Sequence, residues 1–79
     1  MEKEITLYTS AMCPVCSMVR EFLTTMSLEY KEINVDLNPV ALIKLVRKTR
    51  RLSVPQTNIN EEWIFGFDPA RMLEVLNSD

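Results

Sequence analysis

Two pairs, Asn38-Pro39 and Asp68-Pro69, constrain the fold of this chain more than any other feature. An asparagine or aspartate ahead of a helix accepts a hydrogen bond from an orphaned backbone N–H, and a proline in the first helical position gives up an N–H that has no partner there anyway. Each pair therefore opens a helix. After Pro39, Ala41, Leu42, Leu45 and Val46 fall on one face, with Lys44, Arg47 and Lys48 off it, as far as about Thr49. After Pro69, Met72, Leu73 and Leu76 are offered to a core. Between these helices Pro55 blocks helix continuation. Gln56–Ile59 and residues 63–65 read there as two short strands around Asn60-Glu61-Glu62, a hairpin turn without the favoured glycine.

Ahead of Asn38 the chain reads as strand, helix, strand. Ile5-Thr6-Leu7-Tyr8-Thr9 is short, β-branched and aromatic, which suits a strand. Residues 10–12 connect it to a helix that begins at the cysteines. From Pro14 onward Val15, Met18, Val19, Phe22, Leu23 and Met26 recur at spacings of three and four, and Met18 and Met26 are assigned to the core. Residues 30–35 alternate as a strand with incompletely sorted faces. The order is β-α-β-α-β-β-α, an α/β chain with a parallel first strand pair and a later antiparallel hairpin in one sheet flanked by helices. Seventy-nine residues are too few to split a core, so residues 1–79 are expected to form a single domain.

Composition narrows the chemistry. There is no histidine, so Ser-His-Asp and Cys-His catalysis are excluded, and two cysteines cannot close a zinc site within one chain. A net charge of -2 argues against nucleic acid as a partner. No apolar run approaches the roughly 20 residues of a membrane span, and the start, Met1-Glu2-Lys3-Glu4, is charged. The expectation is a cytoplasmic monomer with no membrane contact.

The remaining chemistry lies in Cys13-Pro14-Val15-Cys16, placed where a strand gives way to a helix. Residues three apart on a helix share a face, so the two sulfurs can reach disulfide distance with little backbone movement. Unpaired N–H groups and the dipole at a helix N-terminus stabilise an anion, which makes Cys13 the thiolate; Cys16, one turn in, is the more buried thiol and would resolve a mixed disulfide. Three other readings stand beside this one: buried cysteines acting as small hydrophobes, a structural disulfide, and a metal or iron–sulfur site shared with a second chain.

The pieces "ITLYTSAMCPVC", "YKEINVD", "SVPQTNIN" and "WIFGFDPARM" together resemble the glutaredoxin and thioredoxin superfamily over nearly the whole chain. The resemblance implies a minimal thioredoxin fold with a four-stranded mixed sheet and three helices. It implies that Cys13 is the nucleophile and Cys16 the resolving cysteine, with Val15 standing where glutaredoxins carry an aromatic residue. It also implies that Ser53-Val54-Pro55 matches the family's Thr-Val-Pro segment, whose proline is cis and faces the dithiol. By the same match Met12, Pro14, Val15, Val54, Pro55, Gly66, Phe67 and Asp68 are the substrate-binding residues. Glutathione is a possible reductant, and no tightly bound cofactor or metal is expected.

Two departures concern glutathione. Ser10 occupies the place of a lysine three residues before the nucleophile, and Phe65 replaces the first glycine of a Gly-Gly pair, while Asp68 is retained either for a glutathione amino group or simply as a helix cap. "WIFGFDPARM" is instead similar to the segment of NrdH-type redoxins, glutaredoxin-like electron donors to ribonucleotide reductase recharged by thioredoxin reductase. Gly66, Phe67 and Pro69 fit that pattern, and Asp68 stands where a basic residue is common.

Lys44, Arg47, Lys48, Arg50 and Arg51 place five of the nine cations in eight positions. Such a cluster complements a helix C-terminus, and its functional alternative is a dock for an acidic partner tail or a glutathione carboxylate. Tyr8, Phe65 and Phe67 are expected near the dithiol, and Trp63 is expected to pack against a helix. The expected function is a dithiol oxidoreductase acting on disulfide-containing proteins, drawing electrons from thioredoxin reductase or glutathione. The alternatives are a glutathione-dependent glutaredoxin acting on glutathionylated proteins and, in a different class, a module bridging a metal or iron–sulfur cluster through Cys13.

Overall fold

The computed structural model describes residues 4–51 and 54–77. Its elements are β1 (Ile5–Thr9), α1 (Pro14–Thr25), β2 (Lys31–Asn34), α2 (Pro39–Thr49), β3 (Gln56–Ile59), β4 (Glu62–Phe65) and α3 (Pro69–Leu76). All three helices start on proline, with Cys13, Asn38 and Asp68 as caps: the side chains of Asn38 and Asp68 accept from the N–H groups of Ala41 and Arg71, both at 3.1 Å. The strand expected over residues 30–35 is shorter at both ends, and the one expected from Trp63 starts a residue earlier.

The four strands form one mixed sheet in the order β2-β1-β3-β4, with β1 and β2 parallel and the β1/β3 and β3/β4 pairs antiparallel. This is a thioredoxin-like architecture. Asn60 and Glu61 make the β3–β4 turn with φ of 50° and 74°. Positive φ at both central residues is what the type I′ form of a two-residue hairpin loop demands, and the Asn58 side chain accepting from Glu61 N–H (3.0 Å) supports it without glycine.

Strand alternation sorts the core. Ile5 and Leu7 of β1, Ile59 of β3 and Ile64 of β4 share one sheet face with Val19 and Leu23 of α1 and with Met72 and Val75 of α3. The opposite face carries Tyr8, Gln56, Asn58, Trp63 and Phe65, and α2 ends over it: Gln56 Nε2 donates to Arg51 O (3.1 Å), and the Arg51 guanidinium lies 4.3 Å from the Phe65 ring centroid.

Several core assignments are corrected. Met18 and Met26 are 48% and 44% exposed, because the sheet covers only the α1 stripe of Cys16, Val19 and Leu23. Leu73 is exposed and Val75 is buried in its place. On α2 only Leu45 is fully buried, while Ala41, Leu42 and Val46 are half-buried. The Trp63 ring lies 5.7 Å from that of Tyr8, tilted by 34°, on the sheet face over which α2 ends. Among the described residues no helix is long and apolar enough to cross a membrane.

Candidate active site

Cys13 and Cys16 form a disulfide with their Cα atoms 5.3 Å apart. Cys13 is the extended N-cap of α1, and its Sγ accepts from the backbone N–H of Cys16 at 3.1 Å. An N–H aimed at that sulfur, with the positive end of the helix dipole behind it, is an arrangement that holds negative charge. The two sulfurs are not equivalent: Cys13 is partly exposed, while Cys16 is fully buried on the helix face turned to the sheet. Among the described residues no group of three or more acidic or sulfur ligands clusters for a metal.

The dithiol loop is held from the side. Ala11 N–H donates to Asp36 Oδ2 at 2.9 Å, and Asp36 N–H donates in turn to Asn34 Oδ1 at 2.9 Å. The loop after β1 is thus tied to the connection between β2 and α2. One step below, the buried Thr9 hydroxyl donates to Glu32 Oε2 at 3.0 Å, and Arg20 of α1 grips both Glu32 oxygens at 2.8 and 2.9 Å. Hydrogen bonds from Arg20 hold the Glu32 carboxyl below its usual range against the opposing cost of burial, and the same contact raises Arg20. This three-way tie joins β1, β2 and α1, the strand and helix that flank the cysteines among them. Nothing in the spacing of Thr9, Arg20, Glu32 and Asp36 announced it; the only trace was the polar Glu32 in an otherwise mixed strand.

Val54-Pro55 is a cis peptide, as the family resemblance implied, and Ser53 lies outside the described residues. Pro55 is buried, and its carbonyl accepts from Gly66 N–H at 3.0 Å. Gly66 adopts φ of +69°, a conformation that glycine enters without the Cβ penalty. The aromatic residues disperse. Phe67 meets Phe22 of α1 edge to face with centroids 6.2 Å apart, Phe65 sits under Arg51, and Tyr8 turns to Trp63 on the α2 face. Met12 is 90% exposed, and Pro14 and Val15 are exposed beside Cys13. Asp68 Oδ1 is committed to capping α3.

Comparison with known proteins converges on one group. The family model described as Glutaredoxin matches residues 5–64. A glutaredoxin from Pseudomonas aeruginosa is 33% identical over 70 residues, covering 89% of this chain and 83% of that one. Among solved structures, the thioredoxin-like protein BC3987 matches with a TM-score of 0.84 at 30% identity, over 90% of this chain and 97% of that one. The glutaredoxin-like protein NrdH-redoxin from Escherichia coli matches with a TM-score of 0.82 at 26% identity, over 96% and 97%.

Proposed function

The chain belongs to the glutaredoxin family and is a thiol–disulfide oxidoreductase, and from that premise we propose that it works as an NrdH-type redoxin, a dithiol electron donor to ribonucleotide reductase recharged by thioredoxin reductase. Cys13 is the nucleophile and Cys16 the resolving thiol. The observation that carries this assignment is the Cys16 N–H on Cys13 Sγ, combined with the unequal exposure of the two sulfurs.

In the reduced protein the Cys13 thiolate attacks one sulfur of a partner disulfide. A bond forms between that sulfur and Cys13, the partner's S–S bond breaks, and the departing partner thiolate takes up a proton. Cys16 then gives up its proton and attacks Cys13 Sγ. The mixed disulfide breaks, the second partner thiol is released, and the protein is left as the Cys13–Cys16 disulfide, having passed on two electrons. Val54, Pro55, Gly66, Phe67, Met12, Pro14 and Val15 provide the rim on which the partner strand rests, and no tightly bound cofactor takes part.

The choice of reductant rests on the lost glutathione contacts. Ser10 offers no cation to a glutathione carboxylate, and at the Phe65 position a ring held under Arg51 stands where glutaredoxins leave open backbone. A second reading, a glutathione-dependent glutaredoxin, is supported by the curated relative and by Asp68, which retains one carboxylate oxygen beyond its cap. NADPH consumption with a disulfide substrate separates the two. Turnover with thioredoxin reductase and none with glutathione plus glutathione reductase is the expected result, and the reverse pattern overturns the redoxin reading in favour of the second.

A further inference from the structure

We infer that the solvent face of α2 is a docking ridge for an apolar and acidic segment of the partner protein that carries the exchanging cysteine; this rests on the exchange at Cys13 proposed above. The bond from Ala11 N–H to Asp36 places two large exposed apolar side chains beside each other's loops: Met12, one residue on from Ala11, is 90% exposed, and Leu37, one residue on from Asp36, is 83% exposed. From Leu37 the apolar line continues onto the helix through Val40 (59%) and Ile43 (57%), three residues apart and so on one face. The helix buries its other face, centred on Leu45.

The next turn of that outer face changes character. Lys44, Arg47 and Lys48 follow, and Arg50 and Arg51 extend the cluster. Residues 44–51 hold five of the nine cations and none of the eleven acidic residues of a chain that is acidic overall. None of these five enters an ion pair among the described residues; Arg20 and Arg71 hold the ion pairs found there. Cations at a helix end need only complement the dipole, yet two or three suffice for that, and the dipole does not ask for exposed Val40 and Ile43 ahead of them. An apolar patch that begins at the dithiol rim and ends in cations that form no ion pair among the described residues complements a segment with aliphatic side chains near its cysteine and carboxylates after them. Eleven residues of helix span roughly 16 Å, the reach of about five extended residues.

The test uses pre-reduced protein in single turnover with synthetic peptides. Each peptide has an N-terminal cysteine carried as a 2-pyridyl mixed disulfide, two leucines in the next four positions and three glutamates in the following four. In the controls lysine replaces glutamate, or serine replaces leucine. Attack by Cys13 releases 2-thiopyridone, Cys16 then releases the peptide thiol, and the absorbance of the thione gives the rate. The glutamate peptide is expected to react about tenfold faster than the lysine peptide at low salt, with the gap closing at high salt. Reversing three of the five charges, Lys44→Glu with Arg47→Glu and Lys48→Glu, turns the ridge net negative and should invert that preference. Val40→Ser with Ile43→Ser should slow the leucine peptides severalfold and leave the serine peptide unchanged. Neutral hydroxyethyl 2-pyridyl disulfide should react equally with every variant, and failure of that reaction would count against the exchange chemistry itself. Equal rates for the two charged peptides, or a preference that survives charge reversal, overturns the ridge. So does a dimer at micromolar concentration that the charge reversal dissolves, since the face would then be occupied by a second copy.

Discussion

Leu45→Ala probes how α2 is held, because Leu45 is the only fully buried side chain on that helix, at 1% exposure. The substitution removes three carbons from an apolar site, which costs about 2–2.5 kcal/mol in transfer free energy alone. A rigid cavity would add about as much again, bringing the loss near the upper end of the 2–5 kcal/mol range for such truncations. Leu45, however, is ringed on its own helix by the half-buried Ala41, Leu42, Val46 and Thr49, which border solvent and are free to settle inward. The expected loss is therefore about 2–3 kcal/mol. Leu23→Ala, at a site closed between α1 and the sheet, should cost about 3–5 kcal/mol because less can collapse into the gap. Against a total stability of about 4–12 kcal/mol for a chain of this size, the Leu45 variant should remain folded at 25 °C under oxidising conditions, and the Leu23 variant does so where the wild type exceeds about 5 kcal/mol. The Leu45 variant should melt roughly 10–20 °C lower. Urea titration followed by far-ultraviolet circular dichroism measures both losses. A loss below about 1 kcal/mol for Leu45→Ala, or one equal to that of Leu23→Ala, would refute the argument that a single side chain anchors a helix whose surroundings can relax.

Cys13→Ser should abolish disulfide reduction, whereas Cys16→Ser should accumulate a covalent mixed disulfide with the partner, visible as a mass increase that dithiothreitol removes. Glu32→Gln should cost about 1 kcal/mol at neutral pH, since the Arg20 pair is partly exposed. Because Glu32 titrates below its unfolded value of about 4.3, its contribution is complete above that pH and fades as pH falls through the folded value. The melting temperatures of wild type and variant should therefore converge as pH falls below that unfolded value. Gly66→Ala meets open space but must hold φ of +69°, so it should cost about 1 kcal/mol in urea titration through backbone strain alone.

The elements were legible because the chain punctuates itself. Proline opens each helix, and the observed boundaries fall within one residue of those expected from Asn38-Pro39 and Asp68-Pro69. Which face each helix buries was less legible, for a physical reason. In α1 the apolar residues cover more of the circumference than a single sheet face can cover, so Val15, Met18 and Met26 are left over. In α3 periodicity allows either Met72, Leu73 and Leu76 or Met72 and Val75 to face inward, and only the position of the sheet decides between them. At the site the cysteines were legible from their placement, and the cis bond before Pro55 from family resemblance alone. The Ala11–Asp36 bond spans 25 residues and depends on strand pairing, so it leaves no local pattern.

That pairing also explains why the expected substrate contacts fall where they do. With β1 and β2 parallel, the connections leaving both emerge at one end of the sheet; β3, antiparallel to β1, enters from that end, and β4, antiparallel to β3, returns to it. Four segments distant in sequence therefore collect there: Met12 to Cys16 after β1, Asp36 after β2, Val54-Pro55 before β3 and Gly66 to Asp68 after β4. The bond from Gly66 N–H to Pro55 O joins two of them, and the Ala11–Asp36 bond joins the other two. The opposite end holds the Asn60–Glu61 turn and contributes nothing to the rim, so lengthening that turn would leave the exchange site in place. Deleting one residue within β3 would not, because strand side chains alternate: Gln56 would swap faces with Thr57, and Pro55 would be drawn away from Gly66. The chemistry thus depends on strand register as much as on the two cysteines.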